Sequence, residues 1–142
     1  MLVLDTNVIS DQLRRRPDPS VSAWFAKQAP SSLHTTAITL AEMLFGLELM
    51  LEGARRHGLM LGTGEIFGEL FAGRVLPFDQ MAAAEYAIIR AERQRAGRPI
   101  SQLDCQIAAI ARAHGATLAT RNTRDFTGCG IELVDPWQAG HS

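Results

Sequence analysis

The chain predicts an α/β fold, a parallel sheet with helices on both faces. Short apolar runs alternate with stretches of helical apolar spacing from end to end, which is the order a parallel sheet requires. The first run, Met1-Leu2-Val3-Leu4, is closed by Asp5 and followed by Thr6 and Asn7, both good helix-starting residues. A carboxylate therefore stands at the end of a buried strand, where open α/β sheets place their chemistry. With 142 residues, 46% of them apolar and 20% charged, the chain suffices for a single domain (1–142) with one core and no disulfide or metal staples.

Leu2 to Leu4 form the first strand, and Val8, Ile9 and Leu13 mark a short helix that stops before Pro17. Asp18-Pro19-Ser20 starts a second helix, with Pro19 at its first position and Val21, Trp24 and Phe25 as the buried stripe. After the loop Pro30-Ser31-Ser32, His34-Thr35-Thr36 reads as the second strand. From Thr39 the positions Leu40, Leu44, Leu47 and Leu51 fall at helical spacing, and Gly53 ends that helix. Four glycines, Gly58, Gly62, Gly64 and Gly68, interrupt the next apolar pattern. Each costs a helix interior about 1 kcal/mol against alanine, so residues 53–73 predict a broken or two-part helix held by packing.

Arg74 to Phe78 fits a third strand, and Asp79 caps a helix with Met81, Ala84, Ile88 and Ala91 on one face and a polar end from Glu92 to Arg95. Pro99 separates it from a helix over Ser101 to His114, with Leu103, Ile107, Ile110 and Ala111 in register and Gly115 as its C-cap. Thr117 to Thr120 is the fourth strand, Arg121 to Phe126 a loop or single helical turn, and Ile131 to Val134 the last strand, closed by Asp135-Pro136-Trp137.

The net charge of -1 makes no bulk demand for a nucleic-acid partner. Arginine dominates the cations, Lys27 being the only lysine, in clusters at Arg14 to Arg16, at Arg90, Arg93, Arg95 and Arg98, and at Arg121 with Arg124. These are either solvated helix faces or phosphate contacts, for which arginine is the better residue. Cys105 and Cys129 lie in no CxxC pair and give neither a zinc pattern nor an assignable disulfide. The four-residue apolar start lacks a basic leader, and no apolar run nears the roughly 20 residues of a spanning helix. A soluble, reduced, cytoplasmic protein with no membrane association is the expectation.

Two further acids, Glu42 and Asp104, stand three residues after Thr39 and Ser101. Each could complete a capping box, T-x-x-E or S-x-x-D, and Asp5 could cap the first helix. Together they form a different pattern, because three separate helix starts each deliver an acid that a parallel sheet can bring to one edge. Convergence is direct for Asp5 and Glu42, whose helices follow strands, and less direct for Asp104, which follows a helix and a proline loop. Thr120 to Phe126 offers a fourth contributor, either the neutral Asn122 or the acidic Asp125. Crowded carboxylates raise one another's pKa and repel until a dication neutralises them. Mg²⁺ or Mn²⁺ suits such an oxygen-only set and assists phosphodiester hydrolysis. Other chemistries fit poorly: there is no GxSxG elbow, Walker loop or GxGxxG fingerprint, and His34, His57, His114 and His141 show no ligand spacing. Aspartyl-phosphate chemistry would need Asp-x-Asp, where this chain has Asn7 in the third position.

Four ordered segments resemble the successive motifs of PIN domains: Leu4-Asp5-Thr6-Asn7-Val8-Ile9-Ser10, Ala41-Glu42-Met43-Leu44-Phe45-Gly46, Leu103-Asp104-Cys105-Gln106-Ile107-Ala108-Ala109 and Leu118 to Phe126. With Ala96 to Ile100 and Asp135-Pro136-Trp137, the chain resembles more narrowly the VapC-type toxins of type II toxin–antitoxin pairs, in their FitB-like branch. The resemblance runs over nearly the whole chain. It implies a three-layer α/β/α sandwich and an Mg²⁺- or Mn²⁺-dependent endoribonuclease acting on single-stranded RNA. It maps Asp5, Glu42 and Asp104 onto the metal-site acids, gives Thr6 a supporting hydroxyl, and places the fourth position at Asn122 or Asp125. A dimer is implied, and a VapB/FitA-like antitoxin whose tail covers the acidic groove. The glycine-rich residues 53–73 depart most from the pattern, at the expected antitoxin surface. Arg14 and Arg98 are the arginines expected to guide RNA. The reading from another class is a catalytically idle PIN-like module that binds RNA or protein.

Overall fold

A computed structural model describes residues 1–139, which places His141 outside the described residues. Five strands, β1 (Leu2–Leu4), β2 (Leu33–Thr36), β3 (Val75–Leu76), β4 (Thr117–Ala119) and β5 (Glu132–Val134), form one sheet in the order β3-β2-β1-β4-β5. Every pairing is parallel, with Leu2 beside Leu33 and Leu4 beside Ala119. Seven α-helices connect them: α1 (Thr6–Gln12), α2 (Pro19–Ala26), α3 (Ala37–Glu48), α4 (Ala54–Glu65), α5 (Gln80–Arg95), α6 (Gln102–Ala113) and α7 (Pro136–Ala139).

Alternation along the strands divides the core into two layers. Val3 and Leu118 face Ile89 of α5 and Cys105, Ile107, Ala108 and Ala111 of α6. Leu4, Leu33 and Ala119 face Val8 and Ile9 of α1, Val21 and Trp24 of α2, and Met43 of α3. Helix, sheet and helix thus make the expected three-layer sandwich. Among the described residues no helix is long and apolar enough to cross a membrane.

The strand order sets the position of the site. The chain moves outward from β1 through β2 to β3, then crosses back to lay β4 on the other side of β1. Connections leave β1 and β4 in opposite directions and open a crevice at their C-terminal ends, which is where α/β sheets bind ligands. α6 feeds β4, so it must begin at that same edge to deliver the chain to the start of a parallel strand. Its first turn, with Asp104, comes to the C-terminal edge although a helix precedes it.

Two helices, α3 and α5, bury a different face from the one their apolar spacing predicts. α3 buries Thr39, Met43 and Leu47, leaving Leu44 43% and Leu51 91% exposed, and it stops at Glu48. Gly53, at a φ of 153° that favours glycine, opens α4 instead of closing α3. α5 buries Ala82, Ile89 and Arg93, while Met81 and Ile88 are exposed. α6 buries Ile107, Ile110 and Ala111 as its spacing predicts, together with Cys105, Ala108 and Ala109, and of the predicted stripe exposes Leu103. α4 continues into a π-helical segment over Ile66–Leu70, so the glycine-rich stretch is a helix that widens in its last turn. Phe71 beyond it is buried, and Arg74 closes the turn by donating to the carbonyls of Leu33 (2.9 Å) and Leu70.

Candidate active site

Asp5 leaves β1 as the N-cap of α1 and is only 5% exposed. Its Oδ1 accepts from the backbone N of Thr6 at 2.8 Å; its Oδ2 accepts from the Thr120 hydroxyl at 2.8 Å and from Asn7 Nδ2 at 3.3 Å. Thr120, one residue beyond β4, is fully buried, and its Oγ1 also accepts from the backbone N of Asn122 at 3.1 Å. Asn7 Oδ1 takes the backbone N of Arg121 at 3.1 Å. The first turn of α1 and the exit of β4 are thereby joined across the switch point, with Asp5 at the join.

Glu42 carries no capping duty. Thr36, not Thr39, caps α3, its Oγ1 accepting from the Thr39 backbone N at 3.0 Å, so the T-x-x-E box does not form. Glu42 sits in the second turn, half-buried, where the Thr6 hydroxyl donates to its Oε1 at 3.3 Å. Asp104 serves two purposes. Ser101 caps α6 by accepting from the Asp104 backbone N at 3.2 Å, and its hydroxyl lies near enough to favour the charged form of the half-buried Asp104 carboxyl.

Electrostatics brings the three acids together. Burial pushes the Asp5 carboxyl up; hydrogen bonds from Thr120, Thr6 and Asn7 oppose that push, and the charge of Asp104 adds to it. Burial also raises Glu42, assisted by Asp5 and by Asp104 and opposed by the Thr6 hydroxyl. Asp104 is raised by burial and by Asp125, with Ser101 and the guanidinium of Arg93 opposing. Each acid holds its proton more tightly than a free side chain, chiefly through burial and in part through a neighbouring carboxylate, which is Asp104 for Asp5, Asp5 and Asp104 for Glu42, and Asp125 for Asp104. Among the described residues no three His, Cys, Asp or Glu side chains are placed to ligate one ion directly.

The remaining expected residues lie around this cluster. Asn122 precedes a 3₁₀ turn over Thr123–Phe126 and is tied to Thr120 through its backbone. Asp125, exposed on that turn, is felt by Asp104. Arg14 is paired with Asp11 at 3.4 Å and lines a groove of about 940 Å³ between α1, α3 and α4, along with Thr6, Glu42, Met43 and Arg55. Arg98 lies apart from that groove, in the loop before α6, where its backbone bonds to Arg93.

Two residues of the site were hidden by the sequence. Thr120 reads as an ordinary strand residue, yet it holds both Asp5 and the Asn122 loop. Arg93 reads as part of a solvated polar face, yet it is 8% exposed. Its guanidinium donates to the carbonyls of Arg98 (2.7 Å), Asp125 (2.9 Å) and Thr127 (3.1 Å), tying the loop before α6 to the 3₁₀ turn. The available signal was its place four residues after Ile89 and eleven after Ala82, on the buried stripe of α5.

The PIN-domain family pattern matches residues 2–128. The chain is 44% identical over 139 residues to the VapC ribonuclease Y4jK of Sinorhizobium fredii, covering 97% of this chain and 99% of that protein. It is 40% identical over 137 residues to the toxin FitB of Neisseria gonorrhoeae, covering 96% and 99% of the two chains. The solved structure of FitAB bound to an IR36 DNA fragment superposes with a TM-score of 0.90 at 41% identity, over 96% of both chains. Motif order, sheet topology and whole-length similarity agree, and the chain belongs to the PIN-domain family, in the branch of its VapC- and FitB-named relatives.

Proposed function

We propose that the chain is an endoribonuclease that acts as the toxin of a toxin–antitoxin pair, depends on Mg²⁺ or Mn²⁺, and hydrolyses phosphodiester bonds of single-stranded RNA. The observation that carries this reading is the placement of Asp5, Glu42 and the first-turn Asp104 of α6 at the C-terminal edge of the sheet, where Thr6 donates to Glu42 and Thr120 ties Asp5 to the exit of β4. Three oxygen-donor acids that destabilise one another's charge fit a hard dication, which can be reached partly through its own water shell. When bound, such an ion supplies an acidified water and compensates the charge that builds on the phosphoryl oxygens.

The roles of the residues follow from how each is held. Asp5, fixed by three donors, anchors the cation and cannot turn away from it. Glu42 and Asp104 complete the acidic set, and the Thr6 hydroxyl orients Glu42. Asn122 positions water, or Asp125 adds charge beside Asp104; the sequence and the geometry admit both. Arg14, on the groove that opens toward Glu42, guides the RNA backbone, with Arg98 a second contact. A VapB/FitA-like antitoxin covering that groove, a homodimer and a cytoplasmic location complete the reading. The likeness to a FitAB complex supports the antitoxin.

Asp5→Asn tests it. Cleavage of single-stranded RNA in Mn²⁺ should fall by more than the roughly 100-fold that changes around a metal site commonly cost, and growth arrest on expression without antitoxin should disappear, with the circular dichroism spectrum unchanged. Cleavage at the wild-type rate would remove Asp5 from the mechanism. The second reading, an idle PIN-like module, draws on the lack of a directly ligating triad among the described residues. Titration with Mn²⁺ separates the two, because an idle module should bind no ion that Glu42→Ala or Asp104→Ala releases.

A further inference from the structure

β4 runs out through Thr120 into Arg121, while β5, its parallel neighbour, runs out into α7 and Trp137. At this corner the Arg121 guanidinium lies over the Trp137 ring, with Cζ 4.9 Å from the ring centroid. That is within the distance at which a cation is held by the ring's negative face. Both backbones are pinned: Arg121 N donates to Asn7 Oδ1 at 3.1 Å, and Trp137 N donates to Asp135 Oδ1 at 2.9 Å. Trp137 also packs on the core cluster that contains Leu4 and Ala119. Arg121 is exposed and, like nine other arginines among the described residues, has no carboxylate partner; what sets it apart is the Trp137 ring beneath it at the edge of the site.

The result is a cation held against a ring and without a carboxylate partner, one residue from Thr120, on a backbone that donates to the asparagine supporting Asp5. A guanidinium stacked by one face keeps its N–H edges for an anion, and its fork suits a phosphate. Holding it against Trp137 removes rotamer freedom that binding would otherwise cost. An acidic cluster repels RNA, so a strand crossing it needs cations on both sides. The Arg14 groove lies on the β2 side of Asp5, and Arg121 on the β4 side.

We infer that Arg121, buttressed by Trp137, is a phosphate subsite for single-stranded RNA on the β4 side of the acids, so that the strand crosses the sheet edge from the Arg14 groove to this corner. The subsite rests on the ribonuclease reading for its substrate class. The test is binding of a short mixed-sequence single-stranded RNA by fluorescence anisotropy in EDTA, as a function of salt, alongside cleavage kinetics in Mn²⁺. Arg121→Gln should raise Kd about 10-fold and reduce the slope of log K against log salt by about one, and its loss of kcat/KM should fall mainly on KM. Arg121→Lys should keep the slope and recover part of the affinity, and Trp137→Phe should recover more than Trp137→Leu. Wild-type Kd and slope in Arg121→Gln would overturn the subsite, as would a defect confined to binding a protein antitoxin. If the wild-type chain binds RNA through Arg121 but cleaves none, the nuclease reading fails and the subsite stands; if it cleaves and Arg121→Gln binds normally, the subsite alone fails.

Discussion

Thr120→Val removes one buried oxygen from the centre of the site while keeping its shape. The lost hydroxyl donates to Asp5 Oδ2 at 2.8 Å and accepts from Asn122 N at 3.1 Å. A hydrogen bond to a charged acceptor contributes about 1.5–3 kcal/mol and a neutral one about 1 kcal/mol, so the variant should lose roughly 3 kcal/mol. For a chain of this size that is a fall of about 10 °C in Tm. The loss should also depend on pH in a particular direction. Thr120 is the first force opposing the burial-driven rise of the Asp5 pKa. Without it Asp5 protonates more readily, and a protonated carboxyl needs that donor less. The destabilisation should therefore be largest at about pH 7, where Asp5 is ionised, and shrink toward about pH 4 as falling pH passes its raised pKa and more of the group is protonated. Urea unfolding of metal-free protein at the two pH values measures this, with Thr120→Ser as the control that keeps the oxygen. A Tm within about 2 °C of wild type, or a penalty independent of pH, would refute the argument that this hydroxyl holds Asp5 in its charged form.

Other consequences can be measured on the same protein. Asp5, Glu42 and Asp104 all have raised folded pKa values, so the stability they permit is fully present below the ordinary carboxylate values of 3.8 (Asp) and 4.5 (Glu) and is lost as pH rises through their folded values; Asp104→Asn should flatten that decline in metal-free protein, and an unchanged profile would exclude Asp104 from the coupled set. Mn²⁺ at about 100 times its Kd should add about 2.7 kcal/mol to wild-type stability, a gain that Glu42→Gln should reduce in calorimetry; equal gains in both proteins would place the ion elsewhere. Arg93→Ala withdraws a donor from three carbonyls and should cost about 3 kcal/mol in urea unfolding, near 1 kcal/mol for each; a cost under about 0.5 kcal/mol, the range of surface substitutions, would return Arg93 to the solvated face.

The strands and the acids were legible because each rests on a local signal. Leu2 to Leu4 is a short apolar run, and Asp5 follows it directly, so strand, edge and carboxylate are read in one step. The phase of α1, α2 and α6 was legible as well, whereas that of α3 and α5 was not, for a physical reason. α3 carries Leu40 and Leu44 on faces other than the one it buries, and its buried stripe begins with Thr39, whose hydroxyl is satisfied by bonding Thr36. In α5 the stripe ends in Arg93, a charged residue that carbonyls accommodate. Periodicity counts apolar residues, so it misplaces a face whose buried members are polar. Thr120 was invisible for a related reason: its role depends on β4 lying beside β1, and strand order is a long-range property that no window of sequence contains.

The three acids are held unequally, and this difference carries mechanistic content. Asp5 has three donors, which stabilise its charged form without any cation; Glu42 has a single long bond from Thr6, and the Asp104 carboxyl is favoured in its charged form only by the nearby Ser101 hydroxyl and Arg93 guanidinium. A carboxylate fixed by its neighbours keeps its position with or without an ion, so in the proposed metal-dependent mechanism it would define where the ion sits. A carboxylate with one weak partner is free to follow the ion and its substrate. Removing the first kind destroys the reference point of the site, while removing the second alters how tightly the site closes. Neutralising Asp5 and neutralising Glu42 are for that reason unequal perturbations, even though both subtract one charge from the same cluster.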